Sequence, residues 1–343
     1  MADALATLPR DPTASPQESE IDWEEYKHHR APLFDRLRRS PEFLVGLGLL
    51  AAFIGAAVYA LVHYGSGLTA IPLQPALLRP EYPAGPSPTY PFGVLWISEG
   101  DFWVSTDLLG ALLRATPIDL GIFGGAIGGA LFLGLYLGAV AGYTPGGVSA
   151  VIVDTAYTIV AIPPFVLVLV LYFGVGSFAP SEWSLPLFVL LFALVLWPYY
   201  AIAVRARAQQ VAAEPYVEAA RASGASPRQI LFRHILPNSF SPVFAQVPID
   251  VYNVLFVLSV FPFLGCTNPF FFGTPTPLPF LPFPEWGYLL GTGACFTNSD
   301  ILLNYGYWWM YTFPALVVIS FGLTMTLLCD GAERLVRYST GSR

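Results

Sequence analysis

Six long apolar runs, separated by polar or glycine- and proline-rich stretches, organise this chain: residues 43–63, 116–141, 148–173, 185–204, 242–264 and 307–329. Each is close to the roughly 20 residues a helix needs to cross a hydrocarbon core. The pattern predicts an all-α integral membrane protein with six transmembrane helices. A polar tail, 1–42, is rich in Pro, Asp and Glu and ends in Arg36, Arg38 and Arg39. Residues 64–115 carry many Pro and Gly and no run long enough to span, which places them outside the membrane. Residues 116–330 form the expected core of five helices, with a polar loop over 205–241, and 331–343 form a short second tail. In the second run Gly121, Gly124, Gly125, Gly128, Gly129, Gly134 and Gly138 suit close helix packing.

Composition supports lipid as the solvent: 55% of the 343 residues are apolar and only 11% charged, against about a quarter charged in soluble domains. The 16 basic and 23 acidic residues leave no basic face for nucleic acid. Lys27 is the one lysine, and it lies in Glu-Tyr-Lys-His-His without the glycines of a phosphate loop. A Walker-type ATPase is therefore excluded, and any ATP hydrolysis must fall to a partner. Basic residues near span ends are retained on the cytoplasmic side. With the amino terminus inside, fourteen of the sixteen fall on cytoplasmic segments, leaving Arg79 and Arg114 outside. This predicts a multi-pass protein of the cell membrane with both termini cytoplasmic.

The loop from Glu214 to Asn238 is the most informative stretch. Pro215 suits a first helical turn, and Glu214 and Glu218 favour the positive end of that helix. Gly224 can end it in a left-handed conformation, and Ser226 with Pro227 can restart a second helix. There Ile230, Leu231, His234 and Ile235 recur at helical spacing, and Pro237 stops the run. The prediction is an amphipathic helical hairpin at the membrane surface, with Ala219 and Ala220 small enough for another protein to approach.

At these residues the chain resembles the EAA loop of ABC-transporter permeases. Glu218, Ala219, Ala220, Gly224, Leu236 and Pro237 occupy that pattern, and the flanking Tyr216–Ala222 and Phe232–Asn238 segments look like the dipeptide, oligopeptide and nickel branch. The likeness extends over about 106–337. It departs from the branch at Asp107-Leu108-Leu109-Gly110, where a Gly-Arg-Asp landmark is lost, and in a long stretch between Gly265 and Trp286. The resemblance implies a type I ABC importer permease fold and alternating access. A second related permease completes the path, and two ATPase subunits carry ATP and Mg. An external binding protein delivers peptides, nickel or other small solutes. This chain itself would bind no cofactor or metal and would perform no catalysis, and the loop would be its link to the ATPase subunits.

Three carboxylates fall at membrane depth, where charge is costly and often functional. Asp119 and Asp154 lie near span ends and suit structural roles, while Asp250 lies deeper and is the candidate for lining the path. Cys266 and Cys295 share the last external segment and form a candidate disulfide pair, with two unpaired thiols as the alternative. The histidines show no metal-ligand spacing, and no protease or hydrolase motif is present. An ion-coupled secondary carrier is the competing function. It would need intramembrane carboxylates too, and would predict paired internal repeats, which the sequence does not show.

Overall fold

The structure, a computed structural model, describes residues 40–65, 85–99, 102–176, 183–267, 285–297 and 306–340. Helix α1 covers Pro41–Tyr64, and a hairpin of β1 (Val94–Glu99) and β2 (Phe102–Asp107) precedes α2 (Leu108–Tyr143). Then come α3 (Gly147–Val160), α4 (Pro164–Gly176), α5 (Ser184–Ala212), α6 (Pro215–Ala222) and α7 (Pro227–Ile230). Helix α7 runs through a π turn, Leu231–Ile235, into a last turn, Leu236–Asn238. Helices α8 (Val243–Thr267), α9 (Trp286–Thr297) and α10 (Trp309–Thr340) complete the described residues.

Among the described residues, α1, α2, α5, α8 and α10 are long and apolar enough to cross a membrane, and α3 with α4 forms a sixth, broken span. The third predicted run is thus not one rod. Its halves meet at 89°, because Pro163 and Pro164 remove two amide donors and disfavour helix in the residue before each. Helix α2 is longer than its apolar run: it starts at Leu108, where the Asp107 carboxylate accepts from Gly110 N at 2.8 Å. The departure from the branch pattern at Asp107 is therefore a working helix cap. Thirty-six residues extend about 54 Å, so α2 stands well clear of a hydrocarbon core of about 30 Å.

The seam between α2 and α5 is set by glycine. A β-carbon on Gly134 would sit 2.6 Å from the Trp197 carbonyl oxygen, and one on Gly138 would sit 2.6 Å from that of Ala201. Only glycine admits such backbone contact, which compensates for the lack of a hydrophobic drive between helices in lipid. Gly125 and Gly129 continue this seam against Val189 and Ala193, whereas Gly121, Gly124 and Gly128 face open space. The predicted glycine packing therefore holds on one face of α2 and not on the other.

Helices α1 and α10 lie side by side at the ends nearest the termini. Gly331 packs on Phe43, and an Arg334–Glu42 ion pair closes at 2.8 Å on the exposed side. The 144–146 turn and Arg221 line one cavity where the ends of α2 and α5 pack, the end of α10 meets the start of α1, and the other end of α1 meets the start of α2. The start of α1, the 144–146 turn, the α6–α7 hairpin and the end of α10 therefore share one face of the bundle, here the loop face. The β-hairpin occupies the opposite face. There Leu108 N donates to Gly93 O, and Trp309 Nε1 donates to Val94 O at 3.2 Å, tying the hairpin to α2 and α10. The sequence did not foresee this hairpin within its 64–115 segment.

Candidate coupling surface and buried carboxylates

The α6–α7 hairpin forms as its residues dictate. Glu214 takes an extended conformation and Pro215 opens α6. At the far end Gly224 has φ +83°, its N–H donates to Arg221 O at 3.1 Å, and Ala225 N donates to Ala220 O at 3.1 Å. That pair of bonds is a Schellman closure, which requires a left-handed residue where Gly224 stands. Ser226 Oγ then accepts from Gln229 N at 3.3 Å and caps α7. The π turn arises just before Pro237, which lacks the N–H an α-helix would direct at Arg233 and crowds that carbonyl; Leu236 N donates instead to Leu231 O. The helix ends one residue past Pro237, where Asn238 Nδ2 donates to His234 O at 2.7 Å and Ser239 Oγ to Ile235 O at 2.8 Å.

The two faces of the hairpin are sorted sharply. Val217, Ile230, Leu231 and Ile235 are buried against the bundle, and the Tyr216 and His234 rings meet at 6.0 Å between the helices. Glu218, Ala219, Gly224 and Pro237 are exposed, while Ala220 and Leu236 are half-buried. Four of the six signature residues thus stand on the outside; Gly224 and Pro237 shape the backbone there, while the Glu218 and Ala219 side chains are left facing outward. Glu218 forms no ion pair among the described residues.

The buried carboxylates have separate surroundings. Asp119 is fully enclosed and accepts from Trp286 N at 2.9 Å, so a side chain of α2 satisfies an amide at the start of α9. Glu285, also buried, accepts from Gly287 N at 2.6 Å and from Tyr288 N. Two carboxylates therefore hold one short helix in the bundle, and the Trp286 ring completes the anchor against Phe53 and Phe321 at 5.4 and 5.3 Å. Sequence reasoning gave Asp119 a structural role but missed Glu285 and α9. The signal available was the Glu-Trp-Gly triplet itself, an acidic cap beside glycine. Asp119→Leu is expected to cost about 1–3 kcal/mol by leaving the Trp286 amide unpaired, lowering the thermal midpoint in detergent, with Asp119→Asn costing less. An unchanged midpoint for the leucine variant would contradict this anchor.

Asp250 is fully buried, with Gln246 Nε2 donating to Oδ1 at 3.0 Å and Tyr200 and Asn253 as its other polar neighbours. It bridges a polar seam between α8 and α5. Asp154 is exposed on α3. Cys266 and Cys295 fall within α8 and α9, and their side chains lie outside the described residues. Among the described residues no cluster of His, Cys, Asp or Glu is arranged to hold a metal.

Five spans and one broken span among the described residues, with a glycine-packed seam between α2 and α5, make a multi-pass membrane protein. The family described as binding-protein-dependent transport system inner membrane component matches residues 130–338. The chain belongs to that family, the permease class of ABC transporters, whose members are not themselves enzymes. It is 24% identical over 298 residues to the dipeptide transport system permease protein DppC of Alkalihalophilus pseudofirmus, covering 87% of this chain and 86% of that one. It is 27% identical over 257 residues to DppC of Haemophilus influenzae, covering 74% and 76%. A putative peptide permease protein of Brucella ovis is 30% identical over 179 residues, about half of each chain at 52% and 51%.

Proposed function

We propose that this chain forms half of the translocation path of an ATP-driven importer for peptides, with the loop face toward the cytoplasm and the β-hairpin face outside. The observation that carries the reading is the exposure of Glu218, Ala219, Gly224 and Pro237 on a capped hairpin on the same face as the start of α1 and the end of α10. The α6–α7 hairpin seats in a groove of an ATPase subunit, and closure of two such subunits on ATP and Mg moves α5 and α8, which flank it in sequence. A second related permease supplies the other half of the path, and an external binding protein delivers cargo. The dipeptide and peptide names of the relatives support peptides over nickel or other small solutes. The fourteen basic residues that the sequence pattern assigns to cytoplasmic segments support the orientation.

Asp250 enters the path in this account when α5 and α8 part and the polar seam opens. Asp250→Asn is expected to lower uptake at least several-fold while leaving ATP hydrolysis coupled to the binding protein; uptake at the unmodified level would remove Asp250 from the path. Reconstituted vesicles test the function as a whole. Uptake of a labelled dipeptide is expected to require ATP on the loop-face side and the binding protein on the other. Uptake driven by an ion gradient without ATP would establish the secondary carrier instead.

A further inference from the structure

A cavity of about 630 Å³ opens on the loop face where α2, α3, α5 and α6 converge, and its two charged wall residues are both arginines. Arg205 enters from α5, with Gln209 one turn further on, and Arg221 enters from α6. Neither arginine is paired with a carboxylate among the described residues. The Arg205 Nε atom is enclosed and has no hydrogen-bond partner there. The start of α3, a helix of 14 residues, forms another wall. Its cap is Gly146, which has no side chain to offer the first amides, and Ser149 Oγ is committed to Ala141 O at 2.7 Å. Two guanidiniums without a carboxylate partner among the described residues, Arg205 half-buried and Arg221 exposed, make with the positive end of a helix a site for an anion.

Position selects among anions. The cavity lies at the ends of two spans, α2 and α5, and next to its lining residues Ser149 and Ala150 the α3 side chains Val148 and Val151 are 60% and 67% exposed. A phosphate entering there can leave its acyl chains along those valines. Basic pockets between helices at a cytoplasmic boundary suit lipid headgroups, and planar guanidinium suits phosphate.

We propose that this cavity binds the headgroup phosphate of an anionic phospholipid, held between Arg205 of a span and Arg221 of the α6–α7 hairpin. One phosphate touching both arginines braces the hairpin against the bundle. Binding itself is independent of the hairpin's partner, whereas any effect on ATP-driven uptake rests on the coupling reading. The experiment is native mass spectrometry of the full complex, titrated with phosphatidylglycerol, phosphatidylcholine or soluble glycerophosphate. Unmodified complex is expected to retain phosphatidylglycerol over phosphatidylcholine. Arg205→Gln and Arg221→Gln should each weaken retention about tenfold or more, and Arg205→Lys should restore part of it. Equal retention of the two lipids, or indifference to both glutamine variants, would overturn the site. So would displacement by glycerophosphate at matched concentration, which would make the ligand a soluble anion. Loss of the ATPase subunits from Arg205→Gln with lipid retention unchanged would also overturn it, assigning the cavity to a carboxylate of that partner. Lipid retention is read without ATP hydrolysis, so failure of the coupling reading leaves this result distinct.

Discussion

Gly224→Pro is expected to leave the chain inserted in the membrane and to abolish uptake. Gly224 holds φ +83°, a region closed to proline, whose ring fixes φ near −65°. The same change removes the N–H that bonds Arg221 O, so α6 loses its closure and the angle to α7 is no longer defined. None of the described spans passes through this turn, and Gly224 is exposed with open space around it, so the bundle has no reason to unfold. Gly224→Ala should be milder, because a left-handed alanine costs about 1–2 kcal/mol and keeps the donor. Glu218→Lys reaches the same endpoint by another route, reversing an exposed charge without touching the backbone. Loss of uptake with normal membrane content in both variants checks the account; normal uptake in both would refute the coupling role.

Gly138→Leu is expected to act on the fold instead. Its β-carbon would lie 2.6 Å from the Ala201 oxygen and 2.9 Å from the Ala201 α-carbon, so α2 and α5 must separate along their seam. Backbone cannot yield as a side-chain tip can, and overpacking of this kind costs about 1–3 kcal/mol or more. The variant should accumulate poorly and melt early when extracted. Gly128→Leu, on the face of α2 that meets open space, is the matched control and should leave the isolated chain's stability nearly unchanged. Equal behaviour of the two would contradict the glycine seam.

What the sequence made legible was local or periodic. Gly224, Ser226 and Pro215 announced the hairpin because turn and cap chemistry depends on neighbours a few residues away. The spans followed from length and hydropathy, whereas the 89° break at Pro163-Pro164 depends also on how α3 and α4 pack against α5. The start of α2 was hidden because Arg114 and Thr116 look like the edge of an apolar run, yet both are buried within a helix already capped by Asp107. Helix α9 was hidden for a different reason. Twelve residues are too few to span, and its anchor is a bond from Trp286 to Asp119, 167 positions away. Chemistry that joins distant segments leaves no spacing in the chain, and the two arginines of the loop-face cavity are legible as a pair only once α5 and α6 are brought together.

The most direct test of the central claim is to extract the tagged chain from its native membrane, identify what accompanies it, and assay ATP hydrolysis beside the Gly224→Pro variant. The account predicts two P-loop subunits and a second permease with the unmodified chain, with hydrolysis stimulated by the binding protein, and their loss or uncoupling in the variant. Recovery of the chain alone, transporting with an ion gradient and indifferent to ATP, would contradict it.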